Sequence, residues 1–266
     1  MTAPKPFTEL TVTATERLTD GMVRVRFAAV DPAAFAEAFG GSRFTDRYVK
    51  LVFEGADGHR ALRTYTALEP DVDAGTLAID FVVHGAGDEG LAGPWALAAR
   101  PGDRITVRGP GGAYAPNAAA DWHLLAGDEA GLPAIRAALA ALPADARGYA
   151  VVEVRDASHE QPLPAPAGVA VSWVHGGTTT HEAMADASGQ EPSLLRAVRD
   201  LPWLPGRVHA FVHGEAQVVM HALRPYLLRE REVPRADLSI SGYWRRGRTE
   251  EAFREWKAQL AAVETA

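Results

Sequence analysis

The chain is 266 residues long, 47% hydrophobic and 23% charged, with a formal net charge of −7 and no cysteine. That length suits two domains of roughly 100–150 residues, each with its own core, and the missing thiols exclude disulfides, iron–sulfur clusters, cysteine nucleophiles and zinc–cysteine sites. The longest basic patch, Trp244-Arg245-Arg246-Gly247-Arg248, is too short for nucleic acid, and with no signal-peptide core or apolar window of ~20 residues a cytoplasmic monomer without nucleic-acid or membrane partners is expected.

In chain order, the first half reads as short strands broken by turns. Leu10 to Leu18 runs into Thr19-Asp20-Gly21, after which Val23, Val25 and Phe27 alternate with Arg24 and Arg26, a hairpin with one buried face. A short helix is expected over Asp31 to Phe39. Val49, Leu51 and Phe53 alternate before the turn at Gly55-Ala56-Asp57-Gly58, and Leu77, Ile79, Phe81 and Val83 alternate after Asp73-Ala74-Gly75. Ile105 and Val107 form a last strand ending at Gly109-Pro110-Gly111-Gly112. Strands of this length and spacing predict an antiparallel β-barrel.

From Asp121 onward the pattern changes to strand, loop, helix. Apolar strands are expected at His123 to Ala126, Tyr149 to Val154, Val169 to Val174, Val208 to Val212 and Leu238 to Ile240. Helices are expected at Ala134 to Leu142, Pro192 to Leu201, Ala216 to Glu230 and Thr249 to Ala262; Ser158 to Gly168 is too rich in proline for one. Continuous apolar strands separated by helices imply a doubly wound parallel α/β sheet. The boundary falls near Pro116-Asn117, dividing the chain into residues 1–117 and 118–266.

Five stretches could carry chemistry. In Arg63-Thr64-Tyr65-Thr66 a cation, a flat aromatic and a hydroxyl sit at i, i+2 and i+3 at a strand end, where they can meet a phosphate, a planar ring and a ring nitrogen; a surface pair sharing one strand face is the alternative. Asp80-Phe81-Val82-Val83-His84-Gly85 leads into Gly90-Leu91-Ala92-Gly93-Pro94-Trp95-Ala96, a glycine-rich loop before a short helix beginning near Pro94, whose free N–H groups suit a pyrophosphate. The alternative there is a hairpin loop capped by a structural helix. Gly127-Asp128-Glu129-Ala130 stands where the first parallel strand meets its helix, either a nucleotide site or an acidic helix cap. Gly214-Glu215 repeats that position at a later strand end. Tyr243-Trp244-Arg245-Arg246 could stack on a ring and bind an anion, or form a solvated linker. The nine histidines are scattered without metal-ligand spacing, and no Gly-x-Ser-x-Gly elbow occurs, so neither a metal site nor a hydrolase is expected.

The order of these motifs closely resembles the siderophore-interacting protein family, flavin-dependent ferric-siderophore reductases of the ferredoxin–NADP reductase superfamily. The likeness covers nearly the whole chain. It implies non-covalent FAD on the barrel, with contacts from Arg63, Thr64, Tyr65, Thr66, Asp80, Val83, His84, Gly85, Gly90, Ala92, Gly93 and Trp95. Arg63 would meet phosphate, Tyr65 would stack on the isoalloxazine and Thr66 would bond near its reactive edge. NADPH or NADH would bind at Gly127, Asp128, Glu129, Ala130, Gly214 and Glu215. Lys50, Tyr243, Trp244, Arg245 and Arg246 would face the anionic ferric siderophore. The family usually reads Gly-Pro-Ala-Ser/Thr-x-Trp-Ala where this chain has Gly90-Leu91-Ala92-Gly93-Pro94-Trp95-Ala96, so Gly93 replaces a phosphate-binding hydroxyl. Ala130-Gly131 likewise stands where Thr-Ala is usual.

The resemblance implies electron flow from NAD(P)H through FAD to siderophore-bound Fe(III), releasing Fe(II), with no acid–base residue assigned. A general NAD(P)H–flavin electron-transfer reductase is the alternative enzyme, and a non-catalytic flavin- or siderophore-binding module the alternative of another class.

Overall fold

The computed structural model describes residues 5–54, 60–83, 90–176 and 191–246. The expected last helix at Thr249 to Ala262 lies outside these residues, as do His84 and Gly85. The remaining elements fall into an antiparallel sheet followed by a parallel α/β sheet, the fold class the strand and helix periods imply.

The first sheet has seven strands in the order β4-β3-β7-β1-β2-β6-β5. They are β1 (Phe7–Thr19), β2 (Met22–Ala29), β3 (Tyr48–Glu54), β4 (Arg60–Thr66), β5 (Leu68–Asp71), β6 (Thr76–Val82) and β7 (Arg104–Gly111). Alternate residues of these strands, among them Leu10, Val12, Val25, Phe27, Leu51, Ile79 and Phe81, build one core. The sheet is a curled half-barrel: no ladder joins edge strands β4 and β5 among the described residues, yet the Tyr65 ring of β4 lies 4.6 Å from that of Phe81 on β6. Strand β5 escapes sequence reading because Pro70 and the positive φ of Glu69 (48°) interrupt its period. Helix α1 (Pro32–Phe39) starts where Asp31 accepts from the N–H groups of Ala33 and Ala34 at 3.0 Å, an N-cap. Helix α2 (Ala92–Ala98) opens two residues before Pro94, so the proline sits within the first turn rather than at its start.

The second sheet has five parallel strands in the order β10-β9-β8-β11-β12. They are β8 (Trp122–Asp128), β9 (Arg147–Val154), β10 (Gly168–His175), β11 (Val208–Glu215) and β12 (Leu238–Trp244), with helices α3 (Leu132–Ala141), α4 (Ser193–Arg199) and α5 (Ala216–Val218) between them. Beyond α5 the chain continues in π-helical turns at Val219–Leu223 and Tyr226–Glu230. One face of this sheet, with Leu124, Ala126, Val151, Ala210 and Val212, packs on Leu194, Val198, Val219 and Leu223 of those helices. All eight residues of β11 are buried, as a central parallel strand requires.

The chain divides into two compact units. The first comprises Met1–Ala118, Pro133–Ala144 and Ala157–Pro166, and the second Ala119–Leu132, Asp145–Asp156 and Ala167–Ala266. Most of α3 therefore packs with the first sheet. No described helix is long and apolar enough to cross a membrane.

Candidate functional site

In the first unit the site is built at the end of β4. Antiparallel pairing sets Tyr65 opposite Val49 and Arg63 opposite Leu51, and opposed residues share a face, so both side chains lie on the core-facing side of the sheet. There the Tyr65 ring meets Phe81, and Phe81 in turn lies 5.8 Å from Trp95 of α2. The Arg63 Nη1 donates to its neighbour Leu62 O at 3.1 Å, and Thr66 is buried. Two stretches separated in sequence thus supply one aromatic cluster, with Arg63 on the same face of the sheet. Lys50 pairs with Thr64 and Arg108 and so occupies the reverse face of the same strands.

Helix α2 begins without a side-chain cap at Leu91, so among the described residues its first N–H groups have no side-chain partner. The Gly90 φ of 88° is a left-handed turn that leads the chain into the helix. A Cβ on Gly93 would touch only Val82 O at 3.7 Å and Val83 Cα at 4.0 Å; the absence of a hydroxyl there is not forced by crowding. Val83 is tied to the sheet by its N–H, which donates to Gly21 O at 2.8 Å. Guanidinium, aromatic ring, hydroxyl and uncapped N–H groups are the donor set that a flavin dinucleotide needs.

Asp80, expected among the flavin contacts, is placed differently. It points to the reverse face from Phe81, where Arg24 donates to it through Nε at 2.6 Å and Nη2 at 2.8 Å. Its carboxylate is 1% exposed and bound by Arg24 on both oxygens, which turns it away from the face that carries Tyr65 and Phe81.

In the second unit the site lies at the carboxyl ends of the parallel strands. Asp128, the last residue of β8, accepts from Ala130 N (2.9 Å) and Gly131 N (3.2 Å) on Oδ1, and from Glu215 N (2.7 Å) and Trp244 Nε1 (2.7 Å) on Oδ2. Burial pushes its pKa up to about 7 against the pull of these N–H groups, and Glu153 adds to the rise. The packing is close: a Cβ on Gly214 would lie 2.8 Å from Asp128 Oδ2, and one on Gly131 2.4 Å from His213 O. Gly131 is thus required by contact with β11, which accounts for its presence in the loop.

Glu215 caps α5, accepting from Val218 N at 2.9 Å, and its other oxygen accepts from Arg246 N at 3.2 Å. Glu153 at the end of β9 accepts from Ser193 Oγ (2.8 Å) and Leu194 N (2.9 Å). Together Asp128, Glu129, Glu153, Arg155, Leu194, Glu215, Trp244 and Arg246 line one cleft. Tyr243 and Trp244 separate at a bulge: Gly242 pairs with Gly214 and Trp244 with Glu215, leaving Tyr243 as the extra residue. Such bulges re-aim side chains. The Tyr243 ring meets His213 at 4.8 Å, whereas Trp244 turns to Asp128. The alternative of a solvated linker thus gives way to a strand, and its tryptophan is half-buried. Arg245 donates to Gln217 Oε1 at 3.1 Å.

Two family models match the chain, the siderophore-interacting FAD-binding domain over residues 55–114 and the siderophore-interacting protein domain over residues 120–247. The ferric vibriobactin reductase ViuB of Vibrio cholerae is 36% identical over 195 residues, covering 73% of this chain and 68% of its own. The chain belongs to the siderophore-interacting protein family. The NADPH-dependent ferric-chelate reductase of Escherichia coli is 32% identical over 63% of this chain and 71% of its own. The crystal structure of a siderophore utilization protein from T. fusca superposes with a TM-score of 0.76 at 36% identity, covering 94% of this chain and 96% of that one.

As a siderophore-interacting protein, the chain carries an FAD-binding domain, and one cation near the β4 end was not anticipated from sequence. Arg47 immediately precedes β3, and its carbonyl accepts from Ala67 N at 2.8 Å, one residue beyond Thr66. Its Nη1 donates to Ser42 O at 3.0 Å, and its buried Nε finds no acceptor among the described residues. Burial alone holds its pKa below the usual arginine value. The signal that could have found it is the run Asp46-Arg47-Tyr48, a charged pair set against a strand that the period already predicts. Among the described residues no group of histidines and carboxylates could hold a metal ion.

Proposed function

We propose that this siderophore-interacting protein is a flavin-dependent ferric-siderophore reductase that draws electrons from NADPH or NADH. The observation that carries the reading is the β4 terminus, where the Tyr65 ring stands beside the Phe81–Trp95 aromatic pair and Arg63 shares its face of the sheet. When bound, FAD supplies the conversion between a two-electron hydride donor and a one-electron Fe(III) acceptor.

Within that reading residues 1–117 carry the flavin and residues 118–266 the nicotinamide nucleotide. Tyr65 offers a ring face to the isoalloxazine, and Thr66 a hydroxyl near its reactive edge. Arg63 and the first N–H groups of α2 meet the pyrophosphate. Arg47 adds a second, half-buried cation whose Nε seeks an acceptor. The cleft at the ends of β8, β9, β11 and β12 takes the nucleotide, as carboxyl ends of parallel strands do. Lys50 supplies positive charge for an anionic ferric siderophore, which holds Fe(II) far less tightly than Fe(III). No residue need donate or remove a proton at the substrate, which agrees with the absence of a catalytic triad among the motifs.

Anaerobic stopped-flow absorbance tests the sequence of events. The FAD-loaded protein is expected to bleach with NADPH or NADH, to regain its colour on mixing with a ferric siderophore, and to release Fe(II) to a ferrous-specific chelator. Failure to bleach with either nucleotide overturns the donor assignment; a bleached flavin that no ferric siderophore reoxidises overturns the acceptor.

A further inference from the structure

Asp128 stands where a nucleotide contact belongs, but its hydrogen-bonding capacity is used up. A carboxylate has about four lone-pair sites, and here two N–H groups approach each oxygen: Ala130 and Gly131 on one, Glu215 and Trp244 on the other. No acceptor direction is left for a ribose hydroxyl, and a negative charge at this depth would repel a phosphate. Trp244, by contrast, is half-buried and lines the cleft. Its indole N–H is held by Asp128 at 2.7 Å, and the bulge at Tyr243 turns it to that side. The side chain facing the cleft is thus the tryptophan, and the carboxylate sets its angle.

We propose that Asp128 is a positioning residue, fixing the Trp244 indole as an aromatic wall of the nicotinamide-nucleotide cleft so that nucleotide affinity depends on their hydrogen bond. The inference rests on the nucleotide reading of the cleft given above. A fixed ring costs a flat ligand no ordering of its partner on binding, and either ring of the nucleotide presents a face to it. Asp128 is also where pH acts. Protonation turns one acceptor position into a donor, which cannot meet the N–H of both Glu215 and Trp244. The groups facing it are Glu153 on β9 and Glu215 on β11, with Glu129, Arg155 and Arg246 around the cleft. The carboxylates favour its protonation and the arginines oppose it. Acidification through neutrality is therefore expected to loosen the indole.

Two variants test this from opposite sides of one bond. Trp244→Phe keeps a ring and removes the N–H; Asp128→Asn keeps the shape and places a donor against the N–H groups. Each is expected to raise the KM for the nucleotide about tenfold, the loss of one charge-assisted hydrogen bond, with kcat for flavin reduction retained. The double variant is expected to raise KM by less than the product of the two single effects, because both variants remove the Trp244–Asp128 bond. In the wild type KM is expected to rise as pH falls below neutrality, and in Asp128→Asn this slope disappears. Circular dichroism and flavin content monitor folding, and if Asp128→Asn does not fold, Trp244→Phe decides. Nucleotide KM unchanged in Trp244→Phe, with the wild type reduced normally, overturns the positioning role alone. A wild type reduced by neither nucleotide removes the reading of the cleft and this inference with it.

Discussion

Arg24 and Asp80 show what one residue pair can decide. The guanidinium and carboxylate are 10% and 1% exposed, and the bidentate hydrogen bond raises the Arg24 pKa against the opposing effect of its burial. Breaking a buried pair strands a charge and costs roughly 3–5 kcal/mol, whereas replacing both partners by apolar groups is often near neutral. Asp80→Ala is therefore expected to lose about 3 kcal/mol in urea denaturation, toward the low end because Glu69 lies 3.7 Å from Arg24. Arg24→Met with Asp80→Leu should recover most of that loss. Because the pair faces away from Tyr65 and Phe81, flavin content per folded molecule should not change. A small stability loss with abolished flavin binding would instead make Asp80 a cofactor contact. The residue was legible as part of a motif, but its direction was not. Leu77, Ile79 and Phe81 fix one face by period, yet an aspartate among them reads equally as a ligand contact or an ion-pair partner until Arg24 is seen across β2. Arg47 was missed for a related reason: the run Asp46-Arg47-Tyr48 marks a charged pair beside a strand, but only the fold shows a buried Nε without an acceptor among the described residues.

Elements were legible wherever side-chain period and burial agreed, as in β2, β6 and β11, and failed where local chemistry overrode them, as in β5 and the bulged end of β12. The centre of the second sheet adds a property that no motif announced. His123 on β8 and His209 on β11 are paired in register, with ring centroids 6.1 Å apart. Burial, and then the neighbouring His209, lowers His123 to about 4; burial likewise lowers His209, although Asp237 works against it. Both rings are thus neutral in the fold at pH values where an unfolded histidine, near 6.5, takes up a proton. Between about pH 6.5 and 4 the unfolded state binds more protons, so this contribution to stability falls with acidification, by at most about 1.4 kcal/mol per pH unit for one group. Asp128 acts in the opposite sense, since its raised pKa lets the folded state hold a proton that the unfolded state has lost. The whole-protein slope is therefore a difference, and the histidine is isolated by substitution. His123→Leu is expected to gain stability relative to the wild type as pH is lowered from 7 to 4.5. Melting temperatures of the two proteins across that range check it, and parallel curves would show that His123 titrates normally in the fold.

At the scale of the whole molecule, the change of sequence grammar near Asp121 marks where strands stop alternating with turns and begin alternating with helices. It does not mark where contacts divide. Pro133–Ala144 and Ala157–Pro166, written into the α/β half, belong by contact to the first unit. The chemistry at their attachment is specific. Arg136 of α3 donates through Nη2 to Gln161 Oε1 at 2.8 Å and through Nη1 to Pro162 O at 2.9 Å, and Gln161 Nε2 approaches Met22 Sδ at 3.1 Å. This clasp covers the face of β2 and β6 that carries Met22, Ala78 and the Arg24–Asp80 pair, all buried. A chain ending at Asn117 keeps every strand of the first sheet but uncovers that face, exposing apolar surface at roughly 25 cal/mol per Å² and wetting an ion pair made for burial. A domain of that size has little margin. The fragment 1–117 is therefore expected to lack a cooperative thermal transition and to bind FAD weakly, while the full chain melts cooperatively and retains the flavin through gel filtration. Scanning calorimetry and flavin absorbance on both check it. A fragment that melts cooperatively and keeps FAD would show that α3 and the 157–166 segment cover the sheet without holding it together.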